Sequence, residues 1–206
     1  LDGYDLCVRP GFPVDPSRPD DLPAAVETFR KNGIRVPMVT GNFDLLRPDH
    51  PDAAPLVKAM NKAGVGILKL GYYHFDSATV KYDRDMASIR LDFNEWTDLC
   101  RENAVKVVYH THSGRCMGCN AGQLRLLLDS VPPDVVGAYL DTAHLVAEGE
   151  EFVMAAHAVK DRLSAVGLKD YRLDRAERNG HGTKKKVSVP AGQGLVDYTQ
   201  VFETLS

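Results

Sequence analysis

Six short runs rich in apolar residues alternate along this chain with segments of helical spacing, and most of these runs stop at polar side chains. The runs cover residues 3–8, 34–40, 65–70, 105–109, 135–140 and 165–168. Helical patterns are expected from a cap at Asp20 or Asp21 to Asn32-Gly33, from 52 to 63 ahead of Gly64, from 84 to 103, over 123–128 and over 151–163. A helix that returns the chain for another strand in the same direction predicts a parallel sheet. Polar residues collected where the strands end favour a (β/α) barrel over an open sheet. A closed barrel of that kind has eight strands, two more than are counted here.

The 206 residues, 44% of them hydrophobic, suffice for a single domain spanning 1–206. A net charge of -3 and an isoelectric point near 6.2 provide no broad basic surface, which argues against nucleic acid as a partner. The one basic run, Lys184-Lys185-Lys186, sits beside Gly180 and Gly182 and reads as a solvated loop. No stretch approaches the roughly 20 apolar residues that span a bilayer, and no basic-then-apolar signal opens the sequence, so no membrane partner is expected. Cys7, Cys100, Cys116 and Cys119 are too few for a disulfide scaffold, which points to reduced thiols in the cytoplasm. A homo-oligomer is left open.

Two strand exits concentrate the chemistry. Leu140-Asp141-Thr142-Ala143-His144 puts a carboxylate and an imidazole at the end of one apolar run, and His110-Thr111-His112 puts two imidazoles at the end of another. Asp141 is either a metal ligand or substrate contact, or the cap of a helix. His144 either reaches a metal or a sugar hydroxyl, or is a structural histidine bonded to backbone. His110 and His112 share strand parity, so their side chains point the same way if the strand runs through them. Lys169 either anchors an anionic group or a hydroxyl, or pairs with Asp170 or Asp141. Arg9 offers a bidentate grip on a carboxylate or phosphate, or a surface ion pair. Tyr72, Tyr73 and Phe75 leave a strand where aromatic faces can pack on a sugar ring, whereas Trp96 belongs to the core. His110, His112, Cys116 and Cys119 form a conceivable tetrahedral zinc set, with two reduced thiols in a lid loop as the default. Gly192 and Gly194 lack the spacing of a nucleotide loop and read as a tight turn.

The order Tyr4-Asp5-Leu6-Cys7-Val8-Arg9-Pro10-Gly11, Lys69-Leu70-Gly71-Tyr72-Tyr73, His110-Thr111-His112-Ser113-Gly114, Leu140-Asp141-Thr142-Ala143-His144, Leu168-Lys169-Asp170 and Pro190-Ala191-Gly192-Gln193-Gly194-Leu195-Val196-Asp197 resembles the xylose isomerase-like TIM-barrel superfamily. That resemblance implies a (β/α)8 barrel whose first and last strands fall outside the sequence, together with the glutamate ligand the last strand carries. It also exposes two departures. His110 stands where epimerases of the family place a metal-binding glutamate, and the His-x-Lys-Asp pattern of the seventh strand appears as Gly167-Leu168-Lys169-Asp170.

The resemblance implies a sugar or polyol-ketone isomerase or epimerase that moves a proton beside a carbonyl with the help of a divalent metal (Mn, Mg, Zn or Co). Asp141 and His110 are then catalytic, Asp141, His110 and His144 the metal ligands, and His112, His144, Lys169, Tyr72 and Arg9 the substrate contacts. The alternatives are a dehydratase of an inosose or 3-keto sugar, and a sugar-binding relative without turnover. Endonuclease IV-like repair needs more His and Glu ligands than this sequence supplies.

Overall fold

A computed structural model describes residues 3–79 and 81–206. Six strands, β1 (Gly3–Cys7), β2 (Arg35–Thr40), β3 (Ile67–Lys69), β4 (Lys106–His110), β5 (Val136–Asp141) and β6 (Leu163–Gly167), form a sheet in that order. Strand pairs β1/β2, β2/β3, β3/β4 and β5/β6 are parallel. The intervening helices are α1 (Leu22–Lys31), α2 (Ala53–Ala63), α3 (Tyr82–Glu95), α4 (Thr97–Glu102), α5 (Ala121–Leu127), α6 (Thr142–Glu148) and α7 (Phe152–Ala158). A hairpin of β7 (Asp170–Arg178) and β8 (His181–Val189) follows, and then α8 (Tyr198–Leu205). This is the strand-helix alternation of a TIM barrel, with six of its parallel strands among the described residues. Val107, Val108 and Tyr109 of β4 and Val136, Ala138 and Leu140 of β5 are fully buried, as expected of strands covered on both faces.

The chain divides into two compact units. The first comprises Leu1–Tyr73, Ser77–Tyr109 and Leu127–Gly137. In it, α1 packs on α2, and α2 stops at Gly64, whose φ of 71° satisfies the helix end in a left-handed conformation. Asp21 stands at the N-cap of α1 but makes no side-chain cap bond, so the expected capping role is not taken up. The single helix expected over 84–103 is instead two, α3 and α4. They meet at Trp96, which is buried and donates its indole N–H to the Leu46 carbonyl at 3.1 Å.

The second unit comprises His74–Asp76, His110–Leu126 and Ala138–Ser206. Its hairpin corrects the reading of 184–186 as a solvated loop. Asn179 and Gly180 both take positive φ (53° and 76°) and connect Arg178 to His181, the two-residue turn whose twist matches antiparallel strands. Lys184, Lys185 and Lys186 therefore lie inside β8. Lys184 and Lys186 share one face, where the first donates to the Ala147 carbonyl and the second to Ser113. After β8, the tight turn at Gly192 and Gly194 folds around the protein's own carboxylate: Asp170 accepts from the amides of Gly192 (3.0 Å), Gly194 (2.9 Å) and Val196 (3.1 Å). All four cysteines are free, and no helix among the described residues is long and apolar enough to cross a membrane.

Candidate active site

Strand β5 passes into α6 without a loop, because its last residue, Asp141, is also the N-cap of the helix. One carboxylate oxygen, Oδ1, accepts from the amides of Ala143 (3.1 Å) and His144 (3.2 Å), which the first turn of a helix leaves without internal partners. The other oxygen, Oδ2, accepts from His110 Nε2 at 3.0 Å and from the Lys169 ammonium at 2.6 Å. Asp141 is fully buried. Burial alone would raise its pKa, but the bonds from His110 and Lys169 and their charges pull it down further, to about 2. Capping and ligand-type contact, posed as alternatives by the sequence, are both realised in one side chain.

His144 is held from the other side. Its Nδ1 accepts from the Ser113 amide at 3.2 Å and lies 2.8 Å from the Ser113 hydroxyl, to which the Lys186 ammonium donates at 2.7 Å. A nitrogen that accepts from an amide carries no proton of its own, so the neutral ring carries its proton on Nε2. Burial lowers the pKa of His144 to about 3. The charge of Asp141 opposes that shift, and His112, Lys169 and His110 reinforce it. The ring of His144 lies 4.2 Å from that of His112 at a shallow 36° tilt, and meets His110 and Tyr171 edge-on, each at 5.6 Å. His110 rests edge-on against Tyr139 at 4.5 Å.

Asp141, His110 and His144, the ligands expected for a divalent ion, are turned towards partners within the chain. A carboxylate offers about four acceptor positions, and Ala143, His144, His110 and Lys169 occupy them. His110 turns a donating nitrogen to Asp141, and the Nδ1 lone pair of His144 is taken by the Ser113 amide. Among the described residues no three His, Cys, Asp or Glu side chains are grouped so as to hold a metal ion. The tetrahedral zinc set is not assembled either. Cys116 Sγ lies 3.5 Å from His112 Nδ1 and 3.8 Å from His74 Nδ1, while His110 faces Asp141, and burial raises both the Cys116 and Cys119 thiols above their ordinary pKa.

Thus His110, His112, Asp141, His144 and Lys169 come together within the second unit, where Lys169, its side chain 53% exposed, and the half-buried His112 give the cluster its solvent face. A groove in the same unit lined by Thr142, Leu145, Phe152, Leu195 and Gln200 contains none of the histidines. Arg9 and Tyr72 belong to the first unit. There Arg9 donates to the Gly41 carbonyl and lies over the Phe43 ring, and Tyr72 shares a 2.9 Å hydrogen bond with Lys69. Tyr73, expected against a sugar, is tied by its hydroxyl to Asp92 at 2.8 Å and packs on Phe93 and Tyr109. Ser113 and Lys186 are the site residues that sequence reasoning missed. The trace that finds Lys186 is Asn179-Gly180, a strong short-range hairpin marker, followed by positions of period two.

Comparison with known proteins agrees with this architecture. The chain is 30% identical to the inosose dehydratase of Lacticaseibacillus casei over 115 residues, which are 52% of this chain and 38% of that protein. It thus spans less than two thirds of that relative's length. Among solved structures, a D-tagatose 3-epimerase-like protein superposes with a TM-score of 0.76 at 11% identity, covering 100% of this chain and 77% of that one. The IolI protein, solved with a binding zinc atom, superposes with a TM-score of 0.74 at 18% identity, covering 100% of this chain and 74% of that one. Residues 1–206 match the family model described as xylose isomerase-like TIM barrel, and the chain belongs to that family.

Proposed function

We propose that this chain moves a proton next to the carbonyl of a polyol ketone, the enolising step common to isomerisation, epimerisation and dehydration of sugars. The observation that carries the reading is the buried Asp141–His110 pair beside a neutral His144 whose proton is fixed on Nε2. In the proposed step Asp141 orients the His110 ring through Nε2, and the Asp141–His110 pair takes up the carbon-bound proton. His144 Nε2–H donates to the ketone oxygen as negative charge develops there, and His112, half-buried beside it, contacts a substrate hydroxyl. A neutral imidazole suits this donor role, because its proton is not given up across the physiological range.

Exchange of carbon-bound hydrogen for deuterium tests the reading. A panel of polyol ketones, inososes included, is incubated with the chain in deuterated water and followed by proton NMR. Loss of the signal beside the carbonyl, abolished by His110→Gln, is expected. No exchange with any member of the panel removes the proposal.

Elimination of water after the same proton transfer is the second reading, favoured by a relative that carries the name inosose dehydratase. Product mass separates the two: dehydration lowers it by one water, whereas epimerisation leaves it unchanged. The four free thiols support a cytoplasmic setting for either activity.

A further inference from the structure

We infer that the Lys169 ammonium takes the place of a divalent cation on Asp141, so that this site works on a fixed organic charge and takes no metal at that carboxylate. The inference deepens the enolising reading and rests on it only for what the charge is used for.

Three features of the second unit converge on Lys169. Its backbone is clamped: Lys169 N donates to Thr142 Oγ1 at 3.0 Å, and the Lys169 carbonyl accepts from Thr142 Oγ1 at 2.5 Å and from the Tyr198 hydroxyl at 3.0 Å. The side chain therefore leaves from a fixed point and ends on Asp141 Oδ2, the same oxygen that His110 engages. The neighbouring carboxylate does not compete for it, since Asp170 is wrapped by three amides of the following turn.

The room for a side-chain ligand at position 167 is also taken. Gly167 is the strand partner of Asp141, so a side chain there would project at the carboxylate. A Cβ at Gly167 would stand 3.0 Å from the Tyr139 hydroxyl, 3.1 Å from its ring and 3.3 Å from Asp141 Oδ2. Tyr139 thus fills the room that an imidazole at this position would use, and glycine is the residue that lets it. A metal ion bonds a carboxylate oxygen at about 2.0–2.2 Å. Seated on Oδ2, which is buried, it would lie next to the ammonium of the half-exposed Lys169, and the two like charges would repel. The ammonium keeps a positive charge in the same cluster as His144, the proposed donor to the oxygen that becomes anionic.

The test reads metal proximity, not turnover, so its failure and that of the enolising reading are separate results. Mn2+ is added to the chain after chelator treatment, and paramagnetic broadening of the His110 and His144 ring protons is followed by NMR. Lys169→Met and Asp141→Asn are measured alongside, with circular dichroism to establish that each variant is folded. The lines should stay sharp in the unaltered chain and broaden in Lys169→Met, where the carboxylate loses its ammonium. Broadening in the unaltered chain that Asp141→Asn removes overturns the inference, and so do sharp lines in Lys169→Met.

Discussion

Ser113 presents both its amide and its hydroxyl to one atom, Nδ1 of His144, at 3.2 and 2.8 Å. The amide is the decisive partner, because it only donates. In 15N NMR at neutral pH His144 is expected to show a protonated Nε2 and an unprotonated Nδ1, and Ser113→Ala, which keeps the amide, should leave that pattern intact. The variant should lose about 1 kcal/mol of stability with the hydroxyl, since the Lys186 ammonium then loses its shortest contact. A proton found on Nδ1 contradicts the assignment of His144 as donor through Nε2.

Acid should weaken the fold in two separate steps. His144 titrates near 3 in the folded chain against an ordinary value of 6.5, so below 6.5 the unfolded chain binds a proton that the folded one refuses. Stability is full above 6.5 and declines as pH falls towards 3, by about 2 kcal/mol at pH 5. Asp141, lowered to about 2 from 3.8, adds a second loss below 3.8. Urea titrations at several pH values should show the first decline flattened in His144→Gln, and an unchanged slope in that variant would assign the loss to other groups.

Two substitutions at Asp141 should differ. Asp141→Ala removes the cap of α6 and strips His110 and Lys169 of their shared acceptor, a loss of about 3–5 kcal/mol by analogy with broken buried ion pairs. Asp141→Asn keeps an oxygen for the Ala143 and His144 amides and should cost clearly less, while removing the proposed activity as completely. Denaturant melts of the two variants decide the order.

The turn that encloses Asp170 allows a similar comparison. A Cβ at Gly194 would come 2.2 Å from Asp170 Oδ1 and 2.6 Å from the Tyr171 carbonyl, whereas at Gly192 nothing lies within 4 Å and only a φ of +83° opposes it. Gly192→Ala should cost about 1–3 kcal/mol in backbone strain. Gly194→Ala should cost more, because the carboxylate that organises the turn has to move. Thermal melts of both variants check the ranking.

The sheet was legible because strands covered on both faces read as unbroken apolar runs: 105–109 and 135–140 fall within a residue or so of β4 and β5. Helix α6 was not, because its two turns begin at the residue that ends a strand, and Asp141 reads equally well as an exit or a cap. The hairpin was hidden by its own charge. Three consecutive lysines resemble a solvated run, and the alternation that puts Lys184 and Lys186 on one face is invisible in a stretch of identical residues. Asp141, His110, His144 and Lys169 could be nominated from their places at strand ends. Their orientation could not, since the contact that fixes His144 depends on Ser113, and the lysine that braces Ser113 lies 73 residues further along.

Asp141 ends a strand, starts a helix and receives a histidine and a lysine on its remaining oxygen, whereas Lys169 meets the same carboxylate from a half-exposed position. A saturation map of this chain scored for cellular abundance and for turnover will therefore treat the two partners of one ion pair differently. Column 141 will be depleted under both selections, with asparagine alone spared in the abundance screen, and column 169 will be depleted more deeply under turnover than under abundance.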